Sequence, residues 1–309
     1  NDKETVINSA TFLAIENPST DVARYRAGDL DMTSYALPPE QFAKLQKELP
    51  GEVFTTRTLA TYSYELNNKK APFDNVNVRK ALNLSLDRNV ITDKVLGQGQ
   101  TPTYVFTPTY IEEGQLIQQP AYSKEPMAQR NEEAIKLLEE AGYSKANPLK
   151  FSILYNTNEN HKKVAIAAAS MWKANTKGLI DVKLENQEWK TYIDSRRAGR
   201  YDAARAGWNA DYNQATTFGN YFLSNSSNNT AKYANPEYDK AIAESYVATD
   251  AEGRAKAYAK AEEILAKDFG IVPIFNYVNP RLVKPYVKGY SGKDPQDHIY
   301  LRNLYIIKH

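Results

Sequence analysis

Residues that could bind a charged ligand are concentrated in the segment Tyr201–Asn213, which reads YDAARAGWNADYN. Tyr201–Trp208 is predicted to form a strand, which places Arg205, Trp208 and Asp211 at its C-terminal end. A guanidinium and a carboxylate can each form charge-assisted hydrogen bonds, and an indole ring adds apolar surface. From this segment alone, however, the default expectation is structural: Asp211 would cap a turn, and Arg205 would belong to an ion pair.

The sequence lacks recognisable motifs for catalysis or metal binding. The three histidines, His161, His298 and His309, have no ligand-like spacing. There is no phosphate-binding loop, dinucleotide glycine motif or GxSxG nucleophile elbow. The adjacent carboxylates Glu139–Glu140 and Glu262–Glu263 are interpreted as solvated helix faces. We therefore predict no cofactor, no metal site and no enzymatic activity. A hydrolase or peptidase remains a remote alternative, with His161 as the candidate base nearest to the segment.

The overall composition is that of a soluble globular protein. Of the 309 residues, 42% are hydrophobic and 25% are charged. Lys plus Arg number 39 and Asp plus Glu number 37, so the net charge of +2 gives no electrostatic reason to bind nucleic acid or an anionic membrane. No apolar run approaches the roughly 20 residues of a membrane helix. The absence of cysteine excludes disulfides and thiolate metal sites.

Helices and strands must position the candidate residues. Apolar periodicity predicts helices at Asn75–Leu96, Asn131–Ala141, His161–Asn175, Glu188–Ala198, Glu237–Val247 and Ala251–Lys267. Alternation and β-branched residues predict strands or extended chain at Thr5–Leu13, Val53–Leu66, Leu149–Tyr155, Ile180–Leu184, Tyr201–Trp208 and Ile271–Phe275. Strands that alternate with helices predict crossover units and a largely parallel sheet, in which ligands bind beyond the carboxyl ends of the strands.

Five stretches of the chain resemble one protein family. They are LYNTNENH at Leu154–His161, LENQEWK at Leu184–Lys190, the segment Tyr201–Asn213, SNSSNNT at Ser224–Thr230, and NLYIIKH at Asn303–His309. These long, irregular strings resemble the periplasmic oligopeptide-binding proteins of ABC importers, extracellular solute-binding family 5. The resemblance covers the whole chain, and murein tripeptide-binding relatives are less similar.

The resemblance implies an α/β fold of the periplasmic-binding-protein type, with the two-lobed type II architecture. Residues 1–60 would be part of the first lobe, 61–277 the complete peptide-binding lobe, and 278–309 a return to the first lobe. Family members are longer at the N-terminal side, so the chain is expected to be a C-terminal portion. A periplasmic, monomeric receptor is implied. It would bind short peptides in an interlobe cleft and hand them to a membrane permease, without inserting into the membrane itself.

The resemblance also implies roles for charged residues. Asp211 matches the aspartate that pairs with the α-ammonium group of a peptide. Arg205 and His161 match residues near the peptide carboxylate, with Arg196 in an assisting role. The structural alternatives are a turn-capping aspartate, an ion-paired arginine and a helix-start histidine.

Other matched positions would contact the peptide backbone and side chains. Gly207 and Asn209 would offer backbone groups, as an added strand does. Pocket-lining and polar contacts are assigned to Trp189, Trp208, Tyr277 and Asn156. Core packing is an equally open interpretation for Trp189.

Two departures from the family pattern concern ligand length and a disulfide. Close relatives carry cysteines at the positions of Ala60 and Asn209, so their disulfide is absent here. Some relatives carry a lysine where this chain has Leu96, which predicts a different preference for peptide length. A murein peptide, a metal complex or haem remains an alternative ligand for the same fold.

Overall fold

A computed structural model describes residues 5–15, 17–34 and 36–308 of the chain. These residues form two compact units. The first unit comprises the described residues up to Thr58, the short segment Leu96–Gln100, and the described residues from Tyr277 onward. The second unit comprises Leu59–Val95 and Thr101–Asn276. The assignment of residues 1–60, 61–277 and 278–309 to lobes of a receptor stays a prediction.

The first unit contains two helices and a small two-stranded sheet. Helix α1 is Pro18–Ala27 and α2 is Pro39–Glu48, while β7 (Val287–Lys288) pairs with β8 (Tyr305–Ile306) in antiparallel fashion. Its apolar core consists of Val22, Tyr25, Leu37, Phe42, Leu45 and Leu282.

The strand predicted at Thr5–Leu13 does not form. These residues have no regular secondary structure, and Phe12 is 82% exposed. β-branched and aromatic residues favour a strand only where they can pack on a partner. Within the described residues, no strand pairs with this stretch.

A mixed six-stranded sheet forms the centre of the second unit. Its strands are β1 (Val53–Leu66), β2 (Thr101–Pro102), β3 (Leu149–Asn156), β4 (Ile180–Gln187), β5 (Ala203–Asn209) and β6 (Ile271–Leu282). They lie in the order β2-β6-β1-β5-β3-β4, and β1 and β6 both continue into the first unit. β3 pairs in parallel with β4 and β5, whereas the β1–β5 and β2–β6 pairs are antiparallel. The predicted α/β class is confirmed, but the sheet is mixed and not largely parallel throughout, since the β1–β5 and β2–β6 pairs are antiparallel.

Helices cover the parallel part of this sheet. The helices of the second unit are α3 (Val76–Leu84), α4 (Met127–Glu140), α5 (Glu159–Asn175), α6 (Trp189–Arg197), α7 (Thr216–Gly219), α8 (Pro236–Val247) and α9 (Ala251–Lys267). On α5, Trp172 is fully buried against Phe151 of β3, with ring centroids 5.7 Å apart. On α6, Tyr192 is fully buried in a cluster with Leu154 of β3 and Ala204 of β5.

The single helix predicted at Asn75–Leu96 is interrupted. Helix α3 ends at Leu84, and a π-helical turn follows at Val90–Leu96. The buried Arg88 side chain donates to the carbonyls of Asn83 and Leu86, at 3.0 and 3.3 Å, and so binds carbonyls that helical amides would otherwise use. Apolar periodicity alone could not reveal this competition.

Glu262 corrects the interpretation of the Glu262–Glu263 pair as solvated surface. Glu262 is only 5% exposed, whereas the side chain of Glu263 is 62% exposed. The Glu262 carboxylate accepts hydrogen bonds from the backbone amides of Phe106 and Thr107 and from the Thr107 hydroxyl. Burial raises the pKa of Glu262, although these hydrogen bonds oppose the shift. Separately, none of the helices in the described ranges is both long enough and apolar enough to span a bilayer.

Candidate functional site

Among the described strands, the C-terminal half of β5 pairs with β1 and has no neighbour on its other side. On the β1 side, pairing continues along the whole strand, from Leu66 opposite Ala203 to Ala60 opposite Asn209. On the β3 side, the ladder consists of two pairs and ends at Ala204. Among the described strands, none lies beside the β3-facing edge of β5 beyond this point. That edge can therefore accept the backbone of an extended ligand.

Arg205 and His161 both contact the Tyr62 ring. The Arg205 guanidinium carbon lies 5.2 Å from the centre of the Tyr62 ring, and the His161 and Tyr62 ring centres are 5.6 Å apart. Tyr62 in turn stacks on Phe275, with ring centres 4.7 Å apart. These contacts bring together the two residues that were predicted to bind a carboxylate.

The sequence NEN around the start of α5 positions His161. The Asn158 side chain caps α5 by accepting hydrogen bonds from the amides of Asn160 and His161, at 2.9 and 3.1 Å. Burial lowers the pKa of His161 well below the usual 6.5, and the nearby Arg205 cation lowers it further. In the ligand-free protein at pH 7 the imidazole is therefore neutral, and Arg205 carries the positive charge.

Asp211 and Trp208 meet at the hydroxyl of Thr217. Thr217 Oγ1 donates to Asp211 Oδ2 at 3.2 Å and accepts from the Asp211 backbone amide, also at 3.2 Å. The Trp208 indole Nε1 donates to the same oxygen at 3.1 Å. Asp211 itself is exposed, so its carboxylate is available to a cationic ligand group.

The register of β5 separates the two charged groups. Arg205 lies opposite Tyr64, and Trp208 lies opposite Thr61. Residues directly opposite in an antiparallel pair share a face, and successive residues alternate between faces. Arg205 and Trp208 therefore project from opposite faces of β5, with Asp211 just beyond the end of the strand. An anion and a cation thus lie at opposite ends of the open edge.

Arg196 lies in a buried network rather than beside Arg205. Its guanidinium forms a 3.0 Å ion pair with Glu65 and donates to Tyr221 and Thr230, at 3.1 and 2.9 Å. Tyr221 also donates to Glu65 at 2.6 Å, and its ring centre lies 4.9 Å from that of Trp208. Burial of Arg196 and Glu65 costs desolvation free energy, and the attraction between their charges offsets part of that cost. Any effect of Arg196 on a ligand would thus reach it through Tyr221 and Trp208.

The remaining predicted residues have varied surroundings. Asn156 is the register partner of Gln187, and the side-chain oxygen of each is buried without a hydrogen-bond partner within the described chain. Trp189 begins α6, is 57% exposed and stacks on Tyr192 at 5.8 Å, so it is not a core residue. Tyr277 is a partly buried residue of the first unit.

Gly207 and Asn209 both lie on the β3-facing edge of β5, beside which none of the described strands lies at this point. Gly207 faces Tyr62 across the β1–β5 ladder, and Asn209 faces Ala60. The two positions at which close relatives were expected to carry cysteines are therefore direct cross-strand neighbours. The pairing explains why a disulfide could form there when both residues are cysteine.

Sequence reasoning missed Thr217, Tyr62 and Gln187. Thr217 follows Asp211 after a polar turn, and no periodicity links their side chains. Tyr62 belongs to a predicted strand, but its neighbours depend on strand order. For Gln187, its place within the Leu184–Lys190 stretch that resembles the family, just after the predicted strand Ile180–Leu184, was an available signal.

A family model decides the classification of the chain. Residues 1–230 match the model described as the bacterial extracellular solute-binding proteins, family 5 middle region. The chain belongs to the family 5 extracellular solute-binding proteins. This membership confirms the resemblance that the five sequence stretches indicated.

Individual relatives agree with this family 5 membership. The chain is 96% identical over all of its 309 residues to the periplasmic oligopeptide-binding protein OppA of Haemophilus influenzae. It is 44% identical over 306 residues to the periplasmic murein peptide-binding protein MppA of Escherichia coli. A crystal structure of Haemophilus influenzae OppA in complex with RPPGFSPFR has a TM-score of 0.94 and covers 99% of this chain.

The chain covers only part of the length of each of these relatives. The chain spans 57% of the length of the Haemophilus influenzae relative and 60% of the chain in the crystal structure. For the Escherichia coli relative the share is 56%. What the complete proteins bind therefore bears on this chain only as a proposal.

Proposed function

We propose that this chain forms the ligand-binding part of a periplasmic receptor that binds short peptides and delivers them to the membrane permease of an ABC importer. The observation that carries the proposal is the charge distribution along the open edge of β5. Arg205 and His161 lie at one end of that edge, and Asp211 lies at the other. A peptide in its zwitterionic form has the complementary charges at its two termini.

The backbone of the peptide would align with β5 as an additional strand. Such pairing reads the main chain and tolerates many side chains. Gly207 permits close approach, because it has no side chain. From Arg205 to Asn209 the strand advances about 13 Å, at about 3.3 Å per residue, which is the length of an extended peptide of about four residues.

Polar and aromatic groups around this edge would accommodate the side chains. Trp208, Trp189 and Asn156 are the proposed contacts there, and water can bridge where side chains leave space. The family resemblance adds Tyr277, a residue of the first unit, as a further proposed contact. Arg196 would assist through Tyr221, which contacts both Arg196 and Trp208. We propose that the receptor acts as a monomer and binds without catalysing a reaction.

A murein peptide is the second candidate ligand. The supporting observation is the 44% identity to a protein named as a murein peptide-binding protein. Such peptides also carry an amine and carboxylates, so Asp211 and Arg205 suit them as well. Direct competition between the two ligand types separates these candidates.

Native mass spectrometry of the gently purified full-length protein tests the proposal. We expect adducts with the masses of short peptides, and uptake of added tri- and tetrapeptides. The Asp211→Asn substitution should weaken binding of free peptides by roughly 10- to 100-fold, because a hydrogen bond to a charged group contributes about 1.5–3 kcal/mol. N-acetylated peptides, which lack the α-ammonium charge, should be affected much less.

A matched control is Asp181→Asn. Asp181 is an exposed residue near the start of β4, whereas the site lies at the other end of the parallel strands. The 3.9 Å ion pair of Asp181 with Lys173 is solvated. Its substitution should leave both affinities unchanged. An empty wild-type protein that takes up neither free tri- nor tetrapeptides would refute the peptide assignment. Cleavage of a bound peptide with turnover would instead support the hydrolase alternative.

A further inference from the structure

The Thr217 hydroxyl forms hydrogen bonds with two candidate ligand-binding residues. They are Trp208, near the end of β5, and Asp211, in the turn that follows. It accepts from Trp208 Nε1 and from the Asp211 amide, and it donates to Asp211 Oδ2. A hydroxyl has one donor and two acceptor lone pairs. All of the hydrogen-bonding capacity of this group is thus directed at Trp208 and Asp211.

Thr217 is held much more firmly than the residue that it contacts. It is 4% exposed and lies within α7, next to the fully buried Phe218. A β-branched side chain in a helix has few accessible rotamers. Asp211 is exposed, and its carboxylate would otherwise sample several orientations in water. The fixed hydroxyl therefore limits the orientations of the mobile carboxylate.

The turn between Asp211 and Thr217 has its own supports. Gln214 Nε2 donates to Glu113 Oε2 at 2.9 Å, and Glu113 forms a 2.6 Å ion pair with Arg254 of α9. The Ala215 amide donates to the Glu112 carbonyl at 3.0 Å. These contacts do not involve the Thr217 hydroxyl. Removal of that hydroxyl would take the acceptor from the Asp211 amide but should leave these other supports of the turn in place.

We propose that Thr217 is a positioning residue, which sets the orientation of the Asp211 carboxylate and the Trp208 indole for binding of a ligand's ammonium group. The inference rests on the proposed role of Asp211 in peptide binding. Thr217 itself need not contact the ligand. It holds the Asp211 carboxylate in one orientation before the ligand binds. The entropic cost of ordering this carboxylate then does not reduce the binding affinity.

The test compares Thr217→Val with Thr217→Ser in the full-length protein. Valine has nearly the shape of threonine without the hydroxyl, whereas serine retains the hydroxyl. We expect Thr217→Val to weaken binding of a free tripeptide by about 5- to 10-fold, since one hydrogen bond contributes about 1 kcal/mol. The N-acetylated tripeptide should lose less than about 2-fold, and Thr217→Ser should retain most of the wild-type affinity for both.

Two further measurements separate positioning from a general structural effect. The indole N–H resonance of Trp208 should shift in Thr217→Val and return toward its wild-type position in Thr217→Ser. Thr216→Val provides the structural control, because the Thr216 hydroxyl contacts Gln214 and Tyr258 instead of Asp211. That variant should leave the ratio of the two peptide affinities unchanged.

The outcomes distinguish this inference from the proposed function. If wild-type protein prefers the free peptide through Asp211 but Thr217→Val retains that preference, the positioning role alone is refuted. An equal loss for both peptides in Thr217→Val also refutes it, in favour of a structural role. If wild-type protein binds neither peptide, the proposed function and the inference are overturned together.

Discussion

Arg205 and His161 are both in contact with the Tyr62 ring, yet they differ in charge in the absence of a ligand. Burial and the Arg205 cation lower the pKa of His161 well below 6.5. A carboxylate bound beside Arg205 would offset that cation and raise the pKa of the imidazole again. Binding of a peptide carboxylate and uptake of a proton by His161 are therefore expected to be coupled.

This coupling predicts a pH dependence of affinity. The protonated imidazole favours the carboxylate, so affinity should rise as pH falls from the pKa of the bound state toward that of the free state, and it should level off below both. Calorimetry in buffers of different ionisation enthalpy should detect proton uptake on binding. C-terminally amidated peptides provide the matched ligand control, and the His161→Asn protein should show neither effect. Proton uptake that persists in His161→Asn would contradict the assignment.

Only some of the individual site residues could be identified from the sequence. Asp211, Arg205 and His161 could be singled out because they lie in strings that resemble the family. Thr217 could not, because its contacts depend on how a polar turn folds back. Glu65 was also hidden: its pairing with Arg196 depends on β1 lying beside β5, and strand order is not encoded in local periodicity.

Whole elements were predicted most accurately where apolar periodicity and a capping residue coincide. Helix α9 begins and ends at the predicted residues, Ala251 and Lys267, and Asp250 caps it through the Gly253 amide. Errors occur where tertiary contacts compete with local preference. Arg88 interrupts a predicted helix through its carbonyl contacts, and among the described strands none pairs with the stretch Thr5–Leu13.

The Glu262 carboxylate gives a prediction at the scale of elements, because it connects α9 to the segment that contains Phe106 and Thr107. Glu262→Ala would leave two buried amides without their acceptor and should reduce the free energy of unfolding by about 2–4 kcal/mol. Glu263→Ala removes the exposed neighbour, whose ion pair with Lys267 is solvated, and should change the free energy of unfolding by less than about 0.5 kcal/mol. Denaturant unfolding of both variants checks the difference, and equal effects would contradict it.

At the scale of the whole molecule, the α/β class followed from alternating strands and helices, but the assembly of the first unit did not. The segment Leu96–Gln100 contributes to that unit although its flanking residues belong to the other. Nothing in its composition marks it, because membership depends on contacts made far away in the sequence. One such contact is the hydrogen bond from the Gln98 side-chain Nε2 to the Leu37 carbonyl, at 2.7 Å.

Sequence separation also predicts an order of folding. In the first unit, the Thr33 amide donates to the Leu282 carbonyl at 3.0 Å, so a very long stretch of chain must close before this bond forms. In the second unit, the neighbouring helices α8 and α9 and the β3–β4 pair are close in sequence. Pulse-labelled hydrogen exchange during refolding should show protection of α8, α9 and β3 before Thr33. Simultaneous protection would count against this order.

The discontinuity of the first unit has a consequence for synthesis on the ribosome. Every segment of the second unit precedes Tyr277 in the chain, whereas Leu282, a core residue of the first unit, is translated after all of them. The nascent chain can thus complete one hydrophobic core while the other still exposes Val22, Tyr25 and Phe42 to solvent. A factor that shields unfolded chain during synthesis would find its binding segment in this apolar stretch, which is translated before its core partner Leu282.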